Sequence, residues 1–180
     1  MWWQNFYQAE GIEIDFLGFH IPEKPDGDWW MIVVAPGMTY GKVIQARHKG
    51  FNVGVYAENL DGVIDYSKEQ RLAINKPYAV WVKANIEADP DLKNKSANDL
   101  GATPAVTLLE RLLLEIFYFS FISKNNHLDI DNFTLCTGSR DLGGKVPRVS
   151  FHRSVGKVIV AWPLPSDAHN NLCSRQVVSV

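Results

Sequence analysis

Between Thr134 and Pro147 the chain reads TLCTGSRDLGGKVP, and a thiol, a hydroxyl, an arginine, paired glycines and a lysine fall together there. Two sharp chemistries are suggested and both fail on spacing. A cysteine phosphatase loop needs the pattern C-x-x-x-x-x-R, so that backbone amides encircle a phosphate between thiolate and guanidinium. Here only Thr137, Gly138 and Ser139 separate Cys136 from Arg140, and the position the arginine should hold is Leu142. A phosphate-binding G-x-x-x-x-G-K-[ST] loop needs a hydroxyl after its lysine for Mg²⁺. Gly143-Gly144-Lys145 is followed by Val146. What remains is a flexible glycine segment that presents Ser139, Arg140, Lys145 and Arg148 to an anion. The plainer reading is a turn between strands with solvated basic residues.

The basic character continues beyond the loop. Residues 139–157 hold Arg140, Lys145, Arg148, Arg153 and Lys157 against one acid, Asp141. Phe151, His152 and Trp162 lie in or near this patch, so stacking on a single-stranded base is a conceivable use. The alternative is a strand pair with one apolar and one charged face. Arg175 is a further cation for an anion-facing surface.

Metal chemistry has two candidate strings. His127, Asp129 and Asp131 alternate in HLDIDN and would share a strand face that suits a hard or borderline ion. Asn125-Asn126 before them argue for a turn instead. Asp91-Leu92-Lys93 is a D-x-K, with Asp61 and Asp65 upstream, as in Mg²⁺-dependent nucleases. Its place after Pro90, at a helix start, is the wrong context for a nuclease hairpin. His20, His48, His152 and His169 have no HxxxH or HExxH partner, and Ser139 has no G-x-S-x-G setting.

Composition bounds these readings. The 180 residues are 46% hydrophobic and 21% charged, as in an ordinary globular protein. Net charge is −2. Ten basic and fourteen acidic residues fall in 1–100, eight basic and six acidic in 101–180. Neither half has the charge excess of a duplex-binding protein, so nucleic-acid binding needs a local patch. The two cysteines fit no zinc or redox spacing. MWWQNFYQAE lacks a basic n-region and an apolar h-region, so a cytoplasmic protein with reduced thiols and no membrane span is expected. No cofactor motif is present.

The elements that must position these residues read as follows. GIEIDFLGFHI, residues 11–21, alternates apolar and polar and predicts a half-buried strand. Trp29–Ala35 predicts a strand covered on both faces. Thr39 caps a helix over 40–49, with Gly50 as its C′ residue, and Phe51–Ala57 is the next strand. That order predicts a βαβ-like unit if the strands pair in parallel. A short strand is expected at Val63–Tyr66 and a longer one at Tyr78–Ala84. Asp89-Pro90 opens a short helix, and the polar stretch after it is a candidate junction between lobes 1–88 and 89–180 of a single domain 1–180. Thr107 and Glu110 form a T-x-x-E capping box for a helix over 107–123. That helix is apolar on nearly every face, hence central and buried. Strands follow at Phe133–Cys136, Val146–His152, Lys157–Trp162 and Ser174–Val180, with a hairpin turn at Ser154-Val155-Gly156. The fold expected is α+β: a mixed or antiparallel sheet of about seven strands on a central buried helix, with a C-terminal β-meander.

TLLERLLLE, HLDIDNFTLCTGSR, VPRV and VIVAW together resemble a set of small bacterial proteins of unassigned activity. These share a T-L-L-E-R-L-L-x-E helix, H-L-D, T-L-C-x-G-S-R and V-P-x-V. The resemblance covers about Tyr78 to Ser179, and it departs at Asn125-Asn126, where those proteins carry Gly-Lys. It implies a bacterial, cytosolic, single-domain protein and carries no activity with it. The functional expectation is a non-enzymatic binding or interaction module with its anion-facing loop at 138–148. Its partner would be a small anionic ligand, single-stranded nucleic acid or a protein. The alternatives are a metal-dependent hydrolase or nuclease, and a structural or assembly protein that uses Trp2, Trp3, Phe6 and Tyr7; a homo-oligomer is a further expectation.

Overall fold

A computed structural model describes residues 1–46, 50–57 and 59–180. The fold is α+β, with eight strands in two sheets. Helix α1 is Trp2–Ala9. Strand β1 (Trp29–Val34), β3 (Tyr78–Lys83) and β8 (Val177–Val178) form an antiparallel sheet in the order β1-β3-β8. The second sheet has the order β2-β6-β5-β4-β7, from β2 (Asn52–Val55), β4 (Phe133–Leu135), β5 (Arg148–His152), β6 (Lys157–Ala161) and β7 (Leu172–Ser174). In it, β4, β5 and β6 are the expected antiparallel meander, while β2 and β7 add in parallel at its two ends. Both sheets therefore recruit strands from before and after residue 88.

Helix α4 (Leu108–Phe117), which follows the one-turn helix α3 (Ala97–Leu100), contacts β1 of the first sheet and β5 of the second. The Thr107 capping box forms as expected, with Thr107 Oγ1 accepting from Glu110 N and the Glu110 carboxylate accepting from Thr107 N. The helix runs on as a π-helical turn over Tyr118–Ile122. Its central place explains its composition: with sheets on two sides, an apolar residue on almost any face is buried.

Four expectations are corrected. Residues 11–21 form no strand. Ile12 is buried and Ile14 and Phe16 are half-buried, so the alternation reports an extended segment lying on the core. An Asp15 turn (Leu17 N to Oδ1, 2.7 Å) and left-handed Gly18 interrupt it before it can pair. The strands β1 and β2 lie in different sheets, so the short helix α2 (Tyr40–Gln45) connects sheets instead of closing a βαβ unit. The last expected strand is split. Arg175 lies between β7 and β8, and the chain changes sheets there. The segment around Val63–Tyr66 makes one isolated bridge, Ile64 to Asp141, followed by a 3₁₀ turn over Tyr66–Lys68. Arg47 and His48 lie outside the described residues.

The aromatic N-terminus packs into this chain's own core. Trp3, Phe6 and Tyr7 are buried, Trp3 Nε1 donates to Met31 O, and Tyr7 Oη donates to Val33 O at 2.7 Å. Among the described residues no helix is long and apolar enough to cross a membrane.

Candidate functional site

The residues singled out by sequence have distinct surroundings. Ser139 is buried, and its Oγ accepts from Leu108 N at 2.8 Å, beneath the start of α4. Arg140 Nη1 donates to the carbonyls of Thr137 and Ser139. Lys145 is exposed. Arg148 lies 4.4 Å over the Phe133 ring, beside His169 Nε2 at 3.3 Å. Arg153 is exposed. Cys136 is fully buried, and burial pushes its thiol well up, so it is no nucleophile.

The structure brings His127, Asp129 and Arg175 together. Asp129 is buried between two guanidiniums, with Arg111 Nε at 2.9 Å and Arg175 Nη2 at 2.6 Å, and it also accepts from Thr134 Oγ1. Arg111 continues to Glu115 at 2.7 Å, and Glu115 Oε1 meets His127 Nδ1 at 2.9 Å. His127 stacks on Phe151 at 3.8 Å. Burial alone would raise the Asp129 carboxyl; Arg175 and Arg111 outweigh it and hold the acid below its ordinary range. Two acids and two guanidiniums thus neutralise each other in the core. Asp131 is exposed in a loop whose amides at 130–132 converge on the Glu87 carboxylate. Asp91 is exposed, 3.4 Å from Lys83. Among the described residues, no group of three or more His, Cys, Asp or Glu is placed to hold a metal ion.

The most distinctive polar arrangement lies elsewhere, in a cavity of about 240 Å³ at the end of the first sheet. Val34 of β1 and Tyr78 of β3, which pair with each other, form one wall. The turn at Gly37 and the first residue of α2, Tyr40, form another. Thr39 caps that helix by accepting from Lys42 N. The Asp61 carboxylate accepts from Tyr40 N (2.8 Å), Gly41 N (2.9 Å) and Tyr66 Oη (3.0 Å). A Cβ at 41 would stand 2.7 Å from Asp61 Oδ2, so a larger residue there would displace that carboxylate.

The third wall is the segment that carries Glu69 and Arg71, and the glycine turn of the TLCTGSR string holds it. Asp65 N donates to Arg140 O and Gln70 N to Gly138 O, both at 2.9 Å. Gly138 is itself pressed on the entry to α4: a Cβ would meet Ala105 O at 2.9 Å and Thr107 N at 3.0 Å. Arg71 then reaches Glu110 of α4 with two bonds, Nε to Oε1 at 2.7 Å and Nη2 to Oε2 at 2.9 Å. Tyr78 Oη donates to the same carboxylate at 3.0 Å. Glu110 is fully buried and fully engaged.

Glu69 is different. Its Oε1 and the Oη of Tyr40 are buried and make no well-aligned hydrogen bond among the described residues. Leaving such groups unmatched costs about 1–3 kcal/mol each. Burial pushes the Glu69 carboxyl up from 4.5 to about 7. The Ser139 and Tyr40 hydroxyls, close enough for weak hydrogen bonds, favour the ionised form; Glu110 opposes it and Arg71 favours it. Burial also drives the Tyr40 and Tyr78 phenols well above their ordinary range, so both stay neutral. The remaining walls are apolar, including Met38, Ala73 and Leu109, with exposed Leu72 and Ile74 at 40% and 74%. The arrangement is a largely apolar cavity lined by two residues, Glu69 and Tyr40, that each keep a buried polar atom without a well-aligned bond.

Sequence reasoning missed Tyr40, Glu69, Arg71 and Tyr78 as a group. Arg71 and Glu110 are separated by 39 positions, and KEQRLAI reads locally as a polar loop. The nearest signal was the T-x-x-E box, which marks Glu110 as buried at a helix start. No family model, curated protein or solved structure matches this chain.

Proposed function

We propose that this protein is a binding module for a small ligand, and that the ligand site is the cavity between Tyr40, Glu69, Arg71 and Tyr78. The observation that carries this reading is that Glu69 and Tyr40, each with one buried polar atom that makes no well-aligned hydrogen bond, line the same apolar cavity. Folded proteins match nearly all buried polar groups, and a pocket of apolar walls with a few convergent polar groups is where small ligands bind. At about 240 Å³ the cavity is smaller than a drug-sized site of about 300–1,000 Å³, so the ligand is compact. The 138–148 turn supports this site from behind: Ser139 and Gly138 fix the start of α4, and Gly138 and Arg140 carbonyls hold the Glu69 segment. Its hydroxyl and guanidinium already have protein partners, which favours the cavity over the turn as the place of binding.

Amide chemical shifts of the intact protein, titrated with a fragment set of cationic, neutral and anionic members, test the reading. Saturable shifts should cluster at Tyr40, Glu69, Arg71, Ala73 and Tyr78. A cluster at residues 138–148 without these would overturn it in favour of the anion-binding turn.

A further inference from the structure

Charge sets the class of ligand that this cavity can take. Five charged groups besides Glu69 bear on it from the elements packed around it. Arg71 and Glu110 neutralise each other in a two-bond pair. Asp61 is held by the amides that open α2 and by Tyr66. The exposed Lys42 ammonium sits at the rim, 2.7 Å from Gly37 O. Arg140 acts on Glu69 from the 138–148 turn, but its guanidinium bonds the Thr137 and Ser139 carbonyls. Glu69 is left without a directly bonded cation among the described residues. The tyrosines beside it, Tyr40, Tyr66 and Tyr78, offer neutral hydroxyls and aromatic surfaces that attract positive charge. The apolar walls suit a hydrocarbon body.

On the reading that this cavity is a ligand site, we infer that its ligand is a small organic monocation, an ammonium group on a compact apolar body, whose nitrogen pairs with Glu69 Oε1 beside the Tyr40 hydroxyl. An ammonium donates to the carboxylate and supplies the directly bonded cation that Glu69 lacks. A second anion would stand against Glu69 and Glu110. A neutral alcohol of the same shape would fill the cavity but leave the carboxyl without a counter-charge. Binding of the cation requires ionised Glu69, so below neutral pH each binding event releases the Glu69 proton to solvent. Arg71 keeps its charge over this range, and the Tyr40 and Tyr78 phenols stay neutral.

Three probes with one ring and different heads test this: benzylammonium, benzyl alcohol and benzoate, titrated calorimetrically into the full chain. Benzylammonium should bind best, with the alcohol weaker by about tenfold or more and benzoate weaker still. Its affinity should rise about thirtyfold from pH 5.5 to 8 as Glu69 ionises. Glu69→Gln should remove both the preference for benzylammonium and the pH dependence. Equal or tighter binding of the alcohol or benzoate, a flat pH profile, or no benzylammonium binding would overturn the inference. If the neutral probe binds best and its shifts still map to Tyr40 and Tyr78, the cavity remains the ligand site and only the cation assignment falls.

Discussion

Replacing Glu69 by glutamine should stabilise the protein, and more so as pH rises. Glutamine keeps the shape of the carboxyl and removes its charge. In the folded protein the Glu69 carboxyl holds its proton up to about pH 7, against 4.5 for an ordinary glutamate, because burial disfavours the anion. Between those values the folded state binds a proton that the unfolded chain has released. Stability contributed by the neutral acid is therefore present below about pH 4.5 and is lost as pH rises through about 7. At about 1.36 kcal/mol per pH unit, the loss amounts to about 3 kcal/mol by pH 8. For a domain of this size that is about 6–12 °C in melting temperature. Urea unfolding of wild type and Glu69→Gln at half-unit steps from pH 4 to 8 reads the difference directly, since other titrating groups cancel. The curves should nearly coincide at pH 4.5 and separate to about 3 kcal/mol in favour of the variant at pH 8. A difference that stays flat with pH would refute the reasoning, because Glu69 would then be solvated or paired with a cation.

Other substitutions probe the frame around the cavity. Tyr40→Phe removes a buried hydroxyl that makes no well-aligned hydrogen bond, so it should leave stability unchanged or raise it by about 1–3 kcal/mol, as chemical denaturation would show. Asp129→Asn leaves Arg111 and Arg175 with only Glu115 between them and should cost about 3–5 kcal/mol near neutral pH. That cost should shrink below about pH 4, where wild-type Asp129 itself loses its charge as pH falls through its lowered folded value. Gly138→Ala drives a Cβ against the backbone at 105–107 and should cost about 1–3 kcal/mol, with melting temperature falling accordingly.

Local patterns carried much of the fold. The helix α4 was legible in its T-x-x-E box and apolar run, and β1, β3, β4, β5 and β6 in their alternation or continuous apolar residues, because these signals act within one element. The errors lie where pairing decides. Residues 11–21 alternate like a strand but find no partner. Ser174–Val180 reads as one strand, yet Arg175 is drawn into the Asp129 network and the chain passes from one sheet to the other. Helix α1 went unread: Trp2, Trp3, Phe6 and Tyr7 do have helical spacing, but Met1 supplies no side-chain cap to announce a helix. The cavity was the least legible part. Tyr40, Glu69, Arg71 and Tyr78 come from a helix start, a loop and a strand, and only the Arg71–Glu110 pair and the glycine turn bring them together. The TLCTGSR string that first drew attention proves to be the support of that assembly.

The most direct measurement is the titration of the Glu69 side-chain carboxyl carbon by ¹³C NMR, in the free protein and with saturating benzylammonium. The free midpoint should lie at about 7 and fall when the amine is bound. A free midpoint near 4.5, unmoved by the amine, would contradict a buried and unmatched carboxyl as the centre of this site.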